Sequence, residues 1–252
     1  MADFSCRLAD AKIFQALIEA VSVVITEGNL LVTEHALGMR SMDPARVALV
    51  DFELPKEAFE NYSYTEDLSI GISMDEVKEV IKRSKRDEAV EIVYEVEKGR
   101  LVFRFLGPPE RRFSISTLDL EGEDTPMPSL DFATRIKLGS EMLVELVRDA
   151  EVVSDHIEFH ADSDILKAKA TSDTREVEVK ITKDQHVTDF EVKEESRAVY
   201  TLRYLKDMAR AARMADEVSI EYSKDMPLRL DFQIPAVGGR LTYFLAPRIE
   251  EG

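Results

Sequence analysis

Hydrophobic and polar residues follow two periodic patterns along the chain, one typical of β-strands and one typical of α-helices. Strand-like patterns occur in residues 47–52 (VALVDF) and 176–181 (EVEVKI). Helical patterns, with apolar residues three or four positions apart, occur in residues 10–22, 73–86, 140–153 and 201–213. Because several strand-like segments lie between the helical ones, each pair of helices has a sheet to cover. The pattern therefore predicts an α+β layered fold.

Residue types at the ends of the helical stretches predict where the helices begin and end. Asp10 is suited to cap the first helix, and Ser73-Met-Asp-Glu76 has the spacing of a capping box. Ser140 is predicted to cap the third helix, which runs to about Val153. The fourth helix is predicted to end near Met214, and its apolar stripe consists of Leu202, Leu205, Met208, Ala209 and Ala212.

The second half of the chain repeats the patterns of the first half, about 127 to 130 residues further along. The matched segments are 13–21 with 142–150, 86–94 with 215–222, 101–105 with 228–232, and 112–116 with 240–244. Four matches in the same order favour two copies of one domain over chance similarity. Each copy has the order strand, helix, several strands, helix, several strands.

A segment of different composition joins the two copies. Residues 118–132 contain two prolines, one glycine and five acidic residues, which favours an extended, solvated linker. We therefore predict an N-terminal domain of residues 1–117, a linker of residues 118–132 and a C-terminal domain of residues 133–252. The linker is either a passive tether or, because it carries Met127, Leu130 and Phe132, a segment that packs over another part of the chain.

The overall charge first argues against a nucleic-acid partner. The 252 residues contain 50 acidic and 33 basic side chains, for a formal net charge of −17, and phosphate backbones repel such a surface. The second helix of each repeat carries a positive net charge in spite of this, since residues 73–86 carry +2 and residues 201–213 carry +3. All four helical stretches together carry +1, which leaves −18 for the rest.

The direction of the cations supports a nucleic-acid interface. At 100° per residue, several cations are predicted to point away from the apolar stripe of their helix, namely Lys12, Lys82, Arg86, Arg148, Arg203 and Arg210. Amphipathic helices turn charge outward in any case, but here the basic helices are the two at equivalent positions of the repeat. The hypothesis is contact with DNA phosphates without reading of the base sequence.

Catalytic and metal sites are not predicted. The four histidines are His35, His156, His160 and His186, and the sequence has no phosphate-binding loop, dinucleotide-binding, zinc-protease or serine-hydrolase motif. His156 and His160 have a spacing found in metal sites, but they lie in a segment that alternates like an exposed strand. Cys6 is the single cysteine, which excludes a disulfide within the chain and fits a reducing cell interior. No export signal or membrane span is predicted.

Four segments carry a resemblance to a known family. They are residues 39–50 (MRSMDPARVALV), Leu202-Arg-Tyr-Leu205, Met226-Pro-Leu228 and residues 241–249 (LTYFLAPRI). With the duplicated halves and the acidic linker, the chain resembles the PCNA family of sliding clamps over nearly its whole length. The Ser-Met-Asp-Pro segment and the loop at residues 34–37 are more similar to archaeal than to eukaryotic members.

The resemblance implies an assembly that reconciles the charge with DNA binding. It implies two duplicated DNA-clamp domains per chain, with helices on the inner face of a continuous antiparallel sheet, and a pseudo-sixfold trimeric ring around duplex DNA. The cations that match the family's DNA-facing positions are Lys82, Arg148 and Arg210, with Lys12, Lys78, Arg83, Arg86, Lys206 and Arg213 nearby. The first helices have Gln15, Ala16 and Ser22 where the family often has cations, so DNA contact is expected to depend on the second helices.

The resemblance also implies two protein-binding surfaces. A partner peptide with a glutamine and an aromatic plug is expected to dock beneath the linker, on Met42, Val47, Met127, Phe132, Pro227, Phe244, Leu245, Ala246 and Pro247. For Val47 and Leu245, an ordinary core position is an equal alternative. Residues 248–252 are expected to form an exposed acidic tail that pairs with basic flanks of such peptides. Subunits are expected to join through residues 112–118 of one chain and 174–181 of the next, with Arg112, Phe113, Ser114, Ile115, Ser116, Val177, Val179 and Ile181 at the interface.

The function predicted from these features is that of a non-catalytic DNA sliding clamp without cofactor or metal. It would be the processivity factor of a replicative DNA polymerase and would also bind a clamp loader, flap endonuclease, DNA ligase and other proteins with a clamp-binding peptide. The ring would be a homotrimer or a heterotrimer with paralogous chains, located in the cytoplasm (nucleoid) of an archaeon or the nucleus of a eukaryote. The alternatives are an acidic peptide-binding scaffold or specialised ring subunit that does not support processivity, and a carboxylate-dependent hydrolase.

Overall fold

The order of elements along the chain occurs twice, which confirms the predicted duplication. The computed structural model describes residues 4–120, 125–183 and 187–248. In each repeat a strand and a helix are followed by five strands, a second helix and three strands. The helices are α1 (Ala11–Val21), α2 (Met74–Ile81), α3 (Ser140–Glu151) and α4 (Leu202–Met208). No helix among the described residues is long and apolar enough to span a lipid bilayer.

The strands of the first repeat are β1 (Phe4–Leu8), β2 (Glu27–Val32), β3 (Ala36–Met42), β4 (Ala48–Pro55), β5 (Asn61–Tyr64), β6 (Leu68–Ser73), β7 (Ala89–Glu95), β8 (Arg100–Leu106) and β9 (Arg111–Ser116). Those of the second are β10 (Thr134–Gly139), β11 (His156–Ala161), β12 (Ile165–Thr171), β13 (Glu176–Thr182), β14 (Val187–Val192), β15 (Ser196–Thr201), β16 (Glu217–Tyr222), β17 (Leu228–Ile234) and β18 (Gly239–Leu245). Short 3₁₀ helices cover Lys56–Ala58, Val96–Lys98 and Ala209–Arg213.

Contacts between residues divide the chain into two units. The first unit consists of Met1–Pro44, Val50–Thr125 and Ile234–Leu241, and the second consists of Ala45–Leu49, Pro126–Gln233 and Thr242–Gly252. In the first unit the strand orders are β5-β1-β7-β8-β9 and β4-β3-β2-β6. In the second unit they are β14-β10-β16-β17-β18 and β13-β12-β11-β15. Strands β9 and β13 therefore each lie at the edge of a sheet.

Each unit has buried aromatic rings packed against one another in its core. In the first unit the rings of Phe14 on α1 and Phe103 on β8 lie 6.5 Å apart, centroid to centroid. In the second unit Phe159, Tyr200 and Tyr222 form a cluster with centroid separations of 5.8, 6.0 and 6.4 Å. Such rings remove large apolar areas from water, which is the main source of stability for each unit.

The helix ends agree only in part with the prediction. Asp10 caps α1, since its carboxylate accepts a hydrogen bond from the Lys12 backbone N–H at 2.8 Å, and Ser73 is the N-cap of α2. The predicted cap of α3 is wrong, because Gly139 is the N-cap and Ser140 is the first helical residue. The Ser140 hydroxyl is buried and donates to the Ala215 carbonyl oxygen, so it joins α3 to the loop before β16.

The described part of the linker begins against the edge of β6. The Leu118 backbone N–H donates to the Gly71 carbonyl oxygen at 2.8 Å, in an isolated antiparallel bridge. A Cβ atom on Gly71 would lie 2.3 Å from the Leu118 carbonyl oxygen, so only glycine allows this approach. Residues 125–132 form neither helix nor strand, and Met127, Leu130 and Phe132 are half-buried.

A methyl group at residue 71 is expected to displace the start of the linker from β6. Gly71→Ala should lower the free energy of unfolding by about 2 kcal/mol, the usual cost of forcing extra volume into a packed contact. Gly139→Ala is the matched control, since the nearest atom to its Cβ would lie 4.0 Å away. Chemical denaturation measures the effect, and equal stability of the two variants would contradict the prediction.

Candidate functional site

In the first unit, the predicted DNA-facing cations gather at the C-terminal end of α2. Lys78 lies on the helix and is half-buried, whereas Lys82 is the C-cap residue. Arg83 and Arg86 follow in the turn after the helix, and both are exposed. The helical-periodicity argument is therefore wrong for Arg86, because the helix ends at Ile81. Positive charge at this position is favourable because it lies near the negative end of the helix dipole.

Lys12, by contrast, is engaged within the first unit. Its ammonium group donates to the Gln15 side-chain oxygen and to the Ser84 carbonyl oxygen, both at 2.8 Å. The Ser84 hydroxyl also donates to the Gln15 side-chain oxygen, at 2.9 Å. These contacts connect α1 to the turn after α2. Gln15 thus has a structural partner where the family often has a cation.

A buried ion pair that no local sequence pattern predicts holds the same turn in place. The Arg111 guanidinium contacts the Glu88 carboxylate at 2.5 Å and donates to the Arg83 carbonyl oxygen at 2.8 Å. Burial alone would raise the pKa of Glu88, but hydrogen bonds from the Lys85 backbone N–H and from Arg111 outweigh burial and lower it. The residues are too far apart in the sequence for any local pattern to reveal the pair.

In the second unit, a groove of about 390 Å³ lies between α3 and the segment formed by α4 and the following 3₁₀ helix. Its floor is apolar and consists of small side chains, and its rim is charged. The floor residues are Val144, Val147, Ala209 and Ala212, and the rim residues are Glu141, Arg148, Glu151, Lys206, Arg210 and Arg213. All four predicted DNA-facing cations of this unit therefore lie at one groove, whereas Arg203, which is exposed, does not line it.

The cations of this groove differ in their partners. Lys206 pairs with Glu151 across the groove at 2.9 Å, and Arg210 pairs with Asp207 at 2.9 Å. Arg148 is exposed and has no ion pair among the residues that the structure describes. Arg210 and Arg213 lie in the 3₁₀ helix, so an angle of 100° per residue does not apply to them. A 3₁₀ helix places residues three apart on one side, which aligns the two arginines.

The C-terminal segment of the second unit brings together part of the predicted peptide pocket. The Ala246 backbone N–H donates to the Val47 carbonyl oxygen at 2.8 Å, and the Arg248 N–H donates to the Val199 carbonyl oxygen at 2.7 Å. Val47, Ala246 and Pro247 are half-buried, as are Pro227, Met127 and Phe132.

Two of the predicted pocket residues are buried in the chain itself. Leu245 is 1% exposed and Phe244 is 6% exposed, which favours the alternative that Leu245 is a core residue. Met42 lies in the first unit, at the end of β3, and is 38% exposed. Of the predicted acidic tail, residues 249–252 lie outside the described residues.

The two predicted interface strands have open edges. No strand of the described chain pairs with the outer edge of β9 or of β13. On β9, Arg112 and Ser116 are exposed, Phe113 and Ser114 are half-buried, and Ile115 is buried. On β13, Val177 and Val179 are half-buried, while Ile181 is 4% exposed. An edge of this kind presents unpaired backbone donors and acceptors to another strand.

Two of the four histidines, His156 and His160, are each paired with a different carboxylate. His156 contacts Asp155 at 2.6 Å, and His160 contacts Glu195 at 2.6 Å. The hydrogen bond with His156 is the main reason that the pKa of Asp155 is lowered. The described residues contain no group of three or more histidine, cysteine or acidic side chains able to hold a metal ion. His35 is exposed, and His186 lies outside the described residues.

Known families match both halves of the chain. The family model described as proliferating cell nuclear antigen, N-terminal domain, matches residues 3–125, and that of the C-terminal domain matches residues 126–248. The DNA polymerase sliding clamp of Thermococcus gammatolerans is 39% identical over 242 residues, which cover 96% of each chain. That of Pyrococcus furiosus is 38% identical over 249 residues, which cover 98% of this chain and 99% of the other.

Solved structures are similar over the same length. PCNA from Thermococcus kodakaraensis matches with a TM-score of 0.90 at 28% identity, covering 97% of this chain and all (100%) of the other. Proliferating cellular nuclear antigen from Entamoeba histolytica matches with a TM-score of 0.91, covering 99% of this chain and 100% of the other. At 19% identity, this second match shows a shared fold.

Proposed function

The chain belongs to the proliferating cell nuclear antigen family, and we propose that it acts as a DNA polymerase sliding clamp. The observation that carries the proposal is the match of 39% identity to such a clamp over 96% of both chains. In this role the protein encircles duplex DNA without reading its sequence and keeps the replicative polymerase on its template. An acidic exterior prevents DNA from binding outside the ring, and the cations of the helices contact phosphates inside it.

The DNA-facing surface consists of the helix pairs of both units. Exposed cations at the end of α2 and around the groove of the second unit support this proposal. The residues are Lys12, Lys78, Lys82, Arg83, Arg86, Arg148, Lys206, Arg210 and Arg213. Lys82, Arg83 and Arg148 contribute most, because they are exposed and none of them is engaged in an ion pair within the described chain.

Partner proteins dock on the C-terminal segment of the second unit. The half-buried residues Val47, Pro227, Ala246 and Pro247 form a surface for an aromatic or aliphatic anchor, together with Met127 and Phe132 of the same unit. This surface binds the polymerase and also the clamp loader, flap endonuclease and DNA ligase. The protein is a scaffold without catalytic activity, and it works where the chromosome is, in the cytoplasm of an archaeon or the nucleus of a eukaryote.

The proposed architecture has three parts per chain and three chains per ring. The domains are residues 1–117 and 133–252, with residues 118–132 as the connecting linker. Chains join by pairing of β9 with β13 of the neighbour. The alternative function, a peptide-binding scaffold that never encircles DNA, has no observation in its favour.

Retention on DNA without ends tests the function. After loading by a clamp loader with ATP, the chain is expected to stay on nicked circular DNA during gel filtration and to leave the same plasmid once it is linearised. Protein mixed with circular DNA without the loader is the control for surface binding. Equal retention on circular and linear DNA would contradict encirclement.

A further inference from the structure

Four arginines lie on the polar face of the sheet β5-β1-β7-β8-β9. Side chains at paired positions of neighbouring strands share a face of the sheet. Arg7 lies opposite Glu91, which in turn lies opposite Arg104. Arg104 lies opposite Arg112, and Arg100 is on the same face of β8, four residues before Arg104. The four arginines form the arginine cluster, and each of them is exposed or half-buried.

The arginine cluster has more positive charge than the acidic side chains beside it can neutralise. On the same face of the described strands, the carboxylates are those of Glu91 and Glu95. Glu91 contacts Arg7 at 3.5 Å and Arg104 at 3.1 Å, so one carboxylate serves two guanidinium groups. Arg100 donates to the Ser114 hydroxyl at 2.7 Å and has no ion pair among the described residues. Because a guanidinium has five N–H donors, most donors of the cluster remain for another molecule.

The second repeat shows that the fold does not require this charge. Arg104 and Arg112 lie directly opposite each other, and like charges in that position destabilise a sheet. The residues that match them in the second repeat are Asp231 and Arg240, so a pair of like charges corresponds to one acidic and one basic residue. The first repeat therefore accepts a repulsion that the second avoids, which is typical of a functional site.

The dimensions and chemistry of the arginine cluster suit a short acidic peptide. Three strand spacings of about 4.8 Å separate Arg7 from Arg112, and the resulting distance of about 14 Å equals the length of about four extended residues. Guanidinium groups bind carboxylates through two parallel hydrogen bonds. The row of paired residues between Arg100 and the other three arginines has small side chains, namely Ser5, Val93, Val102 and Ser114. A peptide can therefore lie flat across the strands.

Nucleic acid is the less suitable occupant of this face. Sites for single strands combine cations with aromatic side chains on which the bases stack. The aromatic residues of these strands, Phe103 and Phe113 among them, lie on the opposite face of the sheet. The net charge of −17 also repels a long polyanion at a distance.

We propose that the arginine cluster is a second docking site for partner proteins, which binds a segment rich in aspartate and glutamate. This inference goes beyond the proposed function, because a clamp needs the site neither to encircle DNA nor to bind a clamp-binding peptide. The cluster lies in the first unit, whereas the C-terminal docking segment lies in the second. Charged contacts of this kind raise the association rate and select the partner.

Binding of a labelled acidic peptide tests the site. The probe is fluorescein-labelled hexaglutamate, and its fluorescence anisotropy is measured with the full chain. We expect binding at about 0.05 M sodium chloride and an affinity about tenfold lower at about 0.5 M, because salt screens exposed charges. Hexaglutamine is the uncharged control peptide. Absence of hexaglutamate binding at low salt, or equal binding of the two peptides, would overturn the proposal.

Two variants are expected to shift the affinity in opposite directions. Arg100→Gln with Arg104→Gln removes two arginines from the middle of the sheet and should weaken hexaglutamate binding about tenfold. Glu91→Gln frees Arg7 and Arg104 from their shared carboxylate and should strengthen binding about threefold. Damage to the fold would weaken binding in both variants. Weaker binding by Glu91→Gln would therefore contradict the proposal.

Matched controls locate the peptide on the chain. Lys56→Gln with Arg203→Gln removes the same charge at exposed positions outside the cluster and should leave the affinity unchanged. Lys82→Gln with Arg210→Gln removes the same charge from the proposed DNA-facing surface and should also leave it unchanged. A tenfold loss in either control would mean that the peptide binds elsewhere or responds only to net charge.

A labelled oligonucleotide separates the two classes of ligand. Fluorescein-labelled hexathymidylate should bind the cluster more weakly than hexaglutamate does. Tighter binding of the oligonucleotide, lost in the variant with Arg100→Gln and Arg104→Gln, would identify a nucleic-acid site and overturn the proposal of an acidic peptide. Retention on circular DNA does not depend on this result, so the clamp function and the second docking site can fail separately.

Discussion

Replacing Lys82 and Arg210 by glutamate is expected to abolish the stimulation of DNA polymerase processivity. Each phosphate contact contributes about one unit to the slope of log affinity against log salt, so the two replacements should lower that slope by about 2. They also place two negative charges beside the phosphates. Lys82 is exposed without an ion pair in the described chain, and the only described ion pair of Arg210 is with Asp207 in the last turn of α4. Neither residue is needed to hold the fold.

The control for this prediction is Lys56→Glu with Lys193→Glu, which changes the net charge by the same amount at two exposed lysines that are not among the predicted DNA-facing residues. Both double variants should keep the wild-type unfolding free energy within about 0.5 kcal/mol, as exposed substitutions usually do. Both should still bind a clamp-binding peptide. Full stimulation by the Lys82→Glu and Arg210→Glu variant would mean that the helices do not contact DNA, and would favour the peptide-binding scaffold.

The order of elements was predictable from the sequence because it depends on local pattern. Apolar spacing identified all four helices, and Asp10 is a cap whose partner amide lies two residues away. The helix ends were less predictable, since they depend on contacts that are distant in the sequence. Serine is a typical cap residue, but the hydroxyl of Ser140 donates its hydrogen bond to the Ala215 carbonyl oxygen instead. The stretch of residues 73–86 looks helical to its end, but the helix ends at Ile81 and the cations continue into a turn.

The sequence predicted which residues belong to the candidate site, but it did not predict which of their side chains contact one another. The basic character of the second helices follows from counting charges, and the open edges of β9 and β13 were expected from the family resemblance. Which cations are free was not predictable, because an ion pair depends on the distance between side chains after folding. Lys12 looks like a surface lysine, yet it binds Gln15 and Ser84. For Leu245 the sequence left a pocket position and a core position equally open, and only the folded structure shows that it is buried in the core.

Arg111→Met is expected to lower the free energy of unfolding by about 3 kcal/mol, because removal of one partner leaves the buried Glu88 carboxylate without its charged partner. Glu88 is only 4% exposed. Methionine retains part of the packing on Phe105, whose ring centroid lies 5.0 Å from the guanidinium carbon. Arg112→Met is the matched control, since Arg112 and its partner Glu95 lie in an exposed contact, and its stability should change little. Urea denaturation of both variants at neutral pH measures the difference.

The pH dependence of the unfolding free energy tests whether the Glu88 carboxylate causes the loss of stability in Arg111→Met. In the wild type the pKa of Glu88 lies below its ordinary value of 4.5, so the pair stabilises the fold above that pH and the contribution is lost as the pH falls through the lowered pKa. In Arg111→Met, burial of Glu88 is no longer outweighed, and the pKa rises. The stability gap between wild type and variant should therefore be full at neutral pH and should narrow as the pH falls from the raised pKa of the variant, which lies above 4.5, to the lowered pKa of the wild type. A gap that stays constant down to the acid transition would show that lost packing, and not the buried charge, destabilises the variant.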